Sequence, residues 1–177
     1  TQNTSLKNVV RAIENMKNED ILDVEALYYI DEERLCEIIR PSGFFNVKSR
    51  RLKNIINVIY DKYNASLEGM MNYDLVSLRS VLLGINGIGP ETADSILLYA
   101  LGKPIFVVDA YTKRFLRNHK LYNGDYDYDN IQGFFMDNLP SDTYLFNEFH
   151  ALIVRLCQIN CKKTPECNGC PLEDDRH

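Results

Sequence analysis

Apolar residues recur at helical spacing along most of the chain. The longest periodic stretch runs from residue 47 to residue 63, and its apolar positions fall on one helical face: Leu52, Ile55, Ile56 and Ile59. Ser5, Asp23 and Asp31 each precede a shorter apolar stretch, and their side chains are suited to capping the first turns of three helices. The first part of the chain is therefore predicted to be helical.

The rest of the chain shows the same pattern. Further helices are expected over residues 75–83, 91–101, 110–121, 131–138 and 141–157. Residues 104–108 are apolar but too few for a helix, so we expect them to be extended. The tail beyond residue 157 is irregular and rich in cysteine. The fold class predicted from these patterns is all-α.

The charge of the chain bears on possible partners, and its local distribution differs from its net value. The net charge of −5 argues weakly against a nucleic-acid partner, because contacts with phosphate supply much of the affinity for DNA. Two basic clusters run against that average: Lys48, Arg50, Arg51 and Lys53, and then Lys113, Arg114, Arg117 and Lys120. Each cluster is either a solvated helix face or a local phosphate site. No apolar run is long enough for a membrane span, and no secretory leader is recognisable.

The cysteines are concentrated at one end of the chain. Four of the five lie in the tail, at Cys157, Cys161, Cys167 and Cys170. Thiols clustered in this way are more often metal ligands than disulfides in a chain without a leader. Four thiolates suit a [4Fe–4S] cluster, which is the first interpretation, and they suit structural zinc equally well as the alternative. Cys36 lies among apolar residues and is expected to be buried and inert.

A glycine-rich turn between two predicted helices is the strongest local motif. Gly84 ends one helix, and Gly87 and Gly89 are expected to supply left-handed dihedral angles and close backbone approach before the next helix begins. Ile85 and Ile88 are expected to anchor the turn in the core. The unpaired amides of the new helix would favour an anion such as a DNA phosphate, without reading base sequence.

Taken together, the motifs resemble the endonuclease III (helix-hairpin-helix) superfamily of DNA glycosylases, most closely its 3-methyladenine glycosylase branch. The resemblance is carried by Gly-Ile-Gly-x-x-Thr-Ala at residues 87–93, by Val-Asp-Ala-Tyr at 108–111, by Gly-Phe-Phe-Asn-x-Lys at 43–48, and by His150 and Pro-x-Cys-x-x-Cys in the tail. It spans nearly the whole chain. It implies a two-lobed helical fold and removal of a damaged base from DNA.

The resemblance assigns the chemistry to two positions. Asp109 matches the family's essential aspartate, whose negative charge stabilises the positive sugar that forms as the glycosidic bond breaks. An aspartate at a helix start is also a common N-cap, and the two roles are compatible. Glu91 stands where bifunctional members carry the lysine that forms a Schiff base with the sugar. A carboxylate cannot form an imine, so a monofunctional glycosylase without AP lyase activity is predicted.

The resemblance also implies residues that contact DNA. Gln2 matches a residue that enters the base stack, and Phe44 matches an apolar wedge, although Phe44 could equally be a core residue. The full set of expected DNA contacts is Gln2, Phe44, Lys48, Gly84, Gly87, Ile88, Gly89 and Thr92. Spacing in the tail differs from that of the family's cluster-bearing members, because Arg176 occupies the position of the fourth ligand and Cys157 would have to substitute.

The expected protein is thus a monomeric base excision repair enzyme acting on double-stranded DNA, cytoplasmic and associated with the nucleoid. One lobe is predicted over residues 21–130, and the second is predicted from residues 1–20 with 131–177. Alkylated purines are the favoured lesion, because their positive charge makes them good leaving groups that aromatic rings attract. Three alternatives stay open: a bifunctional glycosylase and lyase, a mismatch uracil or thymine glycosylase, and a non-catalytic DNA-binding module.

Overall fold

The computed structural model describes residues 4–175, and that part of the chain is helical without a β-strand. It divides into two compact units between Ile88 and Gly89. This confirms the all-α prediction. The sequence predicted a second lobe formed by residues 1–20 together with residues 131–177, and that arrangement stays a prediction. No helix between residues 4 and 175 has the length and apolar character needed to cross a membrane.

The first unit contains six α-helices. Their bounds are α1 Leu6–Asn18, α2 Val24–Tyr29, α3 Glu32–Ile38, α4 Phe45–Tyr63, α5 Leu67–Met71 and α6 Leu75–Leu83, with a 3₁₀ turn at Arg40–Ser42. The side chains of Ser5 and Asp23 accept hydrogen bonds from backbone amides of the first turns of α1 and α2, as predicted. Asp31 is at the N-cap of α3 but makes no side-chain capping bond. The short helix α5 was not predicted.

The core of this unit lies where α2 and α3 pack against α4, and where α1 packs against the 3₁₀ turn. One buried cluster of this core consists of aliphatic and sulfur-containing side chains: Ala12, Met16, Leu27, Leu35, Ile38, Ile39 and Ile56. The predicted apolar face of α4 is confirmed at Ile56 and Ile59, which are buried. Lys53 extends from the same helix to the carbonyl groups that end α2, where its ammonium group donates to the carbonyls of Leu27, Tyr28 and Ile30. A positive charge there complements the helix C-terminus.

The turn after α6 has one strict glycine requirement. Gly87 has a φ angle of +89°, a conformation that other residues rarely adopt, and an added Cβ would lie 2.7 Å from Cγ of Arg51. Ile85 and Ile88 are buried, as predicted. The prediction of a left-handed angle at Gly89 was wrong: its φ is −97°, because this residue is the extended N-cap of the next helix.

The second unit contains four further helices. They are α7 Pro90–Ser95, which continues as a π-helical turn at Ile96–Ala100, then α8 Ala110–Asn118, α9 Tyr128–Asn138 and α10 Thr143–Ile159, with a closing 3₁₀ turn at Glu173–Asp175. Phe106 is fully buried, stacks on Phe135 at 4.0 Å between ring centroids, and meets Phe146 edge-on. Packing of α10 against α8 and the π-helical turn completes this unit.

A buried carboxyl group fixes the extended segment that precedes α8. The Asp94 side chain has no exposed surface, and it accepts hydrogen bonds from the Tyr128 hydroxyl at 2.9 Å and the Gln132 amide at 2.8 Å. Gln132 also donates to the Phe106 carbonyl, and the Tyr128 hydroxyl accepts from the Val108 amide. The segment at residues 104–108 is therefore tied to α7 and α9 by one network.

Replacing Asp94 with alanine should destabilise the protein strongly. The Tyr128 and Gln132 donors would lose their buried acceptor, which we expect to cost about 3 kcal/mol of unfolding free energy. Urea denaturation followed by circular dichroism measures this. Asp125→Ala, in an exposed loop, is the control and should change stability by less than about 0.5 kcal/mol. Equal stability of the two variants would contradict the role given to this network.

Gly87 and Gly89 provide a second test of the fold, because only one of them is expected to require glycine. Gly87→Ala should lower the unfolding free energy by about 1 kcal/mol or more, because of the positive φ and the contact with Arg51. Gly89→Ala should change it by less than about 0.5 kcal/mol, because Gly89 has an ordinary φ and open space where its Cβ would lie. The two denaturation midpoints decide this, and a larger loss in Gly89→Ala would refute the account of the turn.

Candidate active site

Asp109 is positioned by the first turn of α8. Its Oδ1 accepts hydrogen bonds from the Thr112 amide at 2.8 Å and from the Thr112 hydroxyl at 3.1 Å, while its own amide donates to the Thr112 hydroxyl oxygen. This capping box confirms that Asp109 is an N-cap. One carboxylate oxygen is thereby committed to the backbone, and the orientation of the other is set by the same bonds.

The second oxygen of Asp109 faces a histidine. Nε2 of His150, on α10, lies 3.6 Å from Oδ2 of Asp109, and the two side chains are only 10% and 16% exposed. Burial raises the pKa of Asp109, but the contacts with His150 and Thr112 lower it by more, so its pKa lies below the usual value for an aspartate. Asp109 is therefore held as an anion in a largely dehydrated position, as a group that must stabilise positive charge would need to be.

His150 has a second partner in the π-helical turn. The Tyr99 hydroxyl lies 2.5 Å from Nδ1 of His150. Tyr99 is 46% exposed, and its partial burial together with the charge of Asp109 raises its pKa to about 12. Deviations of this kind from α-helical geometry are frequent at functional sites, and here the π-helical turn carries Tyr99. In the sequence, His150 was one of the residues that carry the family resemblance, without a role assigned to it, and Tyr99 gave no signal.

Glu91 belongs to the same electrostatic environment. It is the second residue of α7. Although its side chain is exposed, partial loss of hydration raises its pKa, and the negative charge of Asp109 raises it further, while His150 and Lys113 act in the opposite direction. The structure therefore brings together Glu91 and Asp109, which the sequence predicted, with His150 and Tyr99, which it did not.

The expected DNA contacts lie on both units. Lys48 donates to the Ser42 carbonyl at 2.7 Å. Gly84 and Ile88 belong to the turn after α6, whereas Gly89 and Thr92 begin α7. Gln2 lies outside the residues that the structure describes.

Phe44 is the notable case among these residues. Its side chain is 66% exposed, so the alternative of core packing was wrong, and its φ of 47° is uncommon for a bulky residue. Backbone strain of this kind clusters at functional sites. Two other aromatic side chains have clear structural partners, since Tyr28 stacks on Tyr60 and Tyr111 lies beneath the Arg114 guanidinium.

The cysteine tail forms a separate feature of the second unit. Cys161, Cys167 and Cys170 line one cavity of about 220 Å³ together with His119, whose Nε2 is 3.9 Å from the Cys161 sulfur. Cys157 is buried outside that lining, with its sulfur 3.6 Å from the Tyr111 carbonyl oxygen.

The fit of the four thiols to a metal is therefore partial. Burial, followed by the neighbouring Cys161, raises the pKa of the Cys157 thiol to about 11, so a metal would have to displace its proton. Within residues 4–175, no three histidine, cysteine, aspartate or glutamate side chains are arranged to share one ion. Three thiols share the cavity, but the predicted fourth ligand does not join them.

Known proteins match this chain over most of its length. Residues 1–141 match the family model described as HhH-GPD superfamily base excision DNA repair protein. A protein of Methanocaldococcus jannaschii, named as a proposed DNA repair glycosylase, is 48% identical over 175 residues, which are 98% of this chain and 80% of that protein.

Solved structures agree with the family match. The 3-methyladenine DNA glycosylase MagIII of H. pylori, bound to 1,N6-ethenoadenine, superposes with a TM-score of 0.76 at 32% identity, over 89% of this chain and 80% of that one. A trapped covalent complex of endonuclease III with DNA has a TM-score of 0.79 at 21% identity, over 98% of this chain and 77% of that one, and it supports the fold. The chain therefore belongs to the HhH-GPD superfamily of base excision DNA repair proteins, as one of its DNA glycosylases.

Proposed function

We propose that this protein is a monofunctional DNA glycosylase that hydrolyses the bond between a flipped, damaged base and its sugar, with alkylated purines as the preferred lesions. The observation that carries this proposal is the pair of carboxyl groups, Glu91 and Asp109, in one electrostatic environment. A lyase needs an amine where Glu91 stands. The likeness to a 3-methyladenine glycosylase that was solved with an ethenoadenine supports the choice of lesion.

Asp109 is the proposed catalytic group. As the base leaves, positive charge develops on the sugar, and a fixed anion stabilises that charge without having to reorganise. Alkylated purines already carry a positive charge, so they depart with little help from an acid. The lowered pKa of Asp109 keeps it ionised at neutral pH and into mild acid, which is the state that this chemistry requires. Oδ2 is the oxygen left for the substrate, because Oδ1 caps α8.

We assign the binding of duplex DNA to the glycine-rich turn after α6, at residues 84–89, and to Phe44. The backbone amides at the start of α7, after Pro90, would hold a phosphate in the way that helix N-termini bind anions. The exposed Phe44 ring would occupy the space left by the flipped base. Lys48, in the first turn of α4, lies close to Phe44 in the chain and would add positive charge there.

A bifunctional enzyme is the second candidate, and one residue favours it. Lys113 is close enough to Glu91 for its charge to lower that residue's pKa, so an amine is present near the carboxyl pair. If Lys113 formed an imine with the opened sugar, borohydride would trap a covalent complex with DNA. Trapping that disappears in Lys113→Met would establish this candidate in place of the monofunctional one.

Asp109→Asn should slow base release by a factor of about 100 to 1000. Asparagine is as good an N-cap as aspartate, so α8 should stay intact while the negative charge is lost. Single-turnover assays should use duplexes containing methylated adenine, hypoxanthine, uracil, mismatched thymine or oxidised guanine, each analysed before and after alkali. Strand breaks that appear only after alkali, and mainly with the methylated base, are expected.

The matched control for this experiment is Asp127→Asn, because Asp127 caps α9 in the same manner on the protein surface. It should leave the rate within a factor of about 2. Breaks without alkali would contradict the monofunctional assignment. Release of another base in preference would contradict the lesion, and full activity in Asp109→Asn would contradict the catalytic role.

We also propose that Cys157, Cys161, Cys167 and Cys170 hold a structural metal centre, a [4Fe–4S] cluster in preference to zinc. The shared cavity of three thiols supports the site, and four thiolates suit either metal. Such a centre would attach the tail to α8 and α10 and would take no part in the chemistry at Asp109.

Metal analysis of the purified protein tests this centre independently of activity. About four iron and four acid-labile sulfide per chain are expected, with visible absorbance from thiolate-bound iron. Cys167→Ser should lose the metal, whereas Cys36→Ser should retain it, because the Cys36 sulfur instead lies beside the Ser49 hydroxyl. About one zinc per chain would select the alternative. Absence of both metals from protein purified without oxygen or chelators would reject the site.

A further inference from the structure

His150 is an almost completely buried imidazole beside the proposed catalytic carboxylate. Only 8% of the residue is exposed. Its Nδ1 is 2.5 Å from the Tyr99 hydroxyl, and its Nε2 is 3.6 Å from Oδ2 of Asp109. Nε2 is inaccessible to solvent and has no hydrogen-bond partner in the described part of the chain. Oδ2 of Asp109 is the acceptor that the structure places across from Nε2, at a distance slightly too long for a hydrogen bond.

The two contacts together select one tautomer of the neutral ring. Nε2 faces the Asp109 carboxylate, so the tautomer without a proton on Nε2 would direct a lone pair at an anion, which is repulsive. With the ring proton on Nε2, Nδ1 is an acceptor, and the Tyr99 hydroxyl can donate to it. Tyr99 carries the proton that this bond needs, because partial burial and the nearby Asp109 raise its pKa to about 12. The form with the proton on Nε2 therefore satisfies both contacts.

The oxygens of Asp109 are held by different elements. Oδ1 is bonded within α8 through Thr112, and Oδ2 is approached from α10 by His150. The capping bonds set the side-chain torsions of Asp109, but they give the charge on Oδ2 no partner. An N–H group of His150 that faces Oδ2 would supply that partner and hold the carboxylate from a second element. The same logic applies to metal-bound or catalytic histidines whose second nitrogen is fixed by a hydrogen bond.

We propose that Tyr99 and His150 are positioning residues for Asp109, in which the Tyr99 hydroxyl fixes the imidazole so that its Nε2 proton faces Oδ2 and keeps the carboxylate oriented and ionised. This inference rests on the proposed role of Asp109. It assigns a function to the π-helical turn, since that turn carries Tyr99 to α10. Neither residue touches the substrate in this scheme, so their effect passes through Asp109.

The effect on pH dependence follows from the groups that face Asp109. Glu91 on α7 contributes negative charge, Tyr99 contributes a neutral hydroxyl, and Lys113 contributes positive charge to the neighbourhood of Glu91. Without His150, burial would act on Asp109 with less opposition, and its pKa would rise. Activity requires the ionised carboxylate and is lost as the pH falls through this pKa. A higher pKa therefore moves the acid limb of the profile to higher pH.

The tautomer can be measured without any substrate. The chain contains three histidines, so a long-range ¹H–¹⁵N spectrum of protein labelled in the imidazole nitrogens is simple to assign. His150 should show a protonated Nε2 and an unprotonated Nδ1. In Tyr99→Phe the two tautomers should become mixed, while Tyr144→Phe, an exposed tyrosine on α10, should leave the spectrum unchanged. Protonation of Nδ1 in the wild type would overturn the proposal.

A second experiment measures single-turnover base release by the wild type and the variants across a pH series. It uses the lesion duplex from which the wild type releases the base fastest. His150→Leu, an apolar replacement for a buried ring, should shift the acid limb upward by about one pH unit and slow the reaction about 10-fold or more in mild acid. Tyr99→Phe should shift the limb in the same direction by less. Tyr144→Phe should match the wild type.

These outcomes separate the possible failures. A uniform loss of rate at every pH, without a shift of the limb, would show that His150 and Tyr99 act only in packing, and it would overturn the proposal. If His150→Leu does not fold, Tyr99→Phe and the spectrum of the wild type still decide. If the wild type releases no base from any duplex, the proposed function fails, whereas the tautomer measurement stands on its own.

Discussion

The buried Asp94 carboxyl group is the constraint on which the proposed active site depends. Polar groups removed from water must find partners, and Asp94 provides the acceptor for Tyr128 and Gln132 at the centre of the second unit. Those two side chains also bind the backbone on either side of Val107. The segment that leads into Asp109 is thus fixed by α7 and α9 before α8 begins. An extended segment without a sheet around it would otherwise have few backbone partners.

The structural role of Asp109 as a helix cap is compatible with the chemical role proposed for it. Thr112 occupies one oxygen, fixes the χ angles and completes the helix cap. The remaining oxygen lies in a largely buried position, where a charge is costly unless neighbouring groups stabilise it. The cap and the contact with His150 provide that stabilisation, so the pKa of Asp109 is lowered although it is buried. The interpretations as N-cap and as catalytic anion therefore reinforce each other.

Local sequence signals predicted most of the helices. They failed where a helix is very short or where two similar residues adopt different backbone conformations. Helix α6 was placed at its observed bounds, and the structure shows that Asp74 caps its first turn and that Gly84 follows its last residue. Helix α5 was missed because five residues are too few to show a period. Gly87 and Gly89 look alike in the sequence, but only Gly87 needs a positive φ.

The site shows the same division between local and distant signals. Asp109 and Glu91 could be found because their motifs are local. Tyr99 and His150 are 51 positions apart, and their contact depends on the π-helical turn and on the packing of α10, which a single sequence does not reveal. Exposure of Phe44 could not be foreseen either, because an aromatic residue before a helix fits a core as well as a surface.

The carboxyl pair gives the proposed role of His150 a physical reason. In an imine-forming glycosylase, the amine at the position of Glu91 adds positive charge beside the aspartate. Here the same position adds negative potential, which by itself would favour protonation of Asp109. An environment that moves two carboxyl pKa values apart gives the two groups different protonation states. Here the pKa of Glu91 is raised and the pKa of Asp109 is lowered. The donor that makes this separation possible comes from α10, which places the imidazole of His150 across from the free oxygen of Asp109.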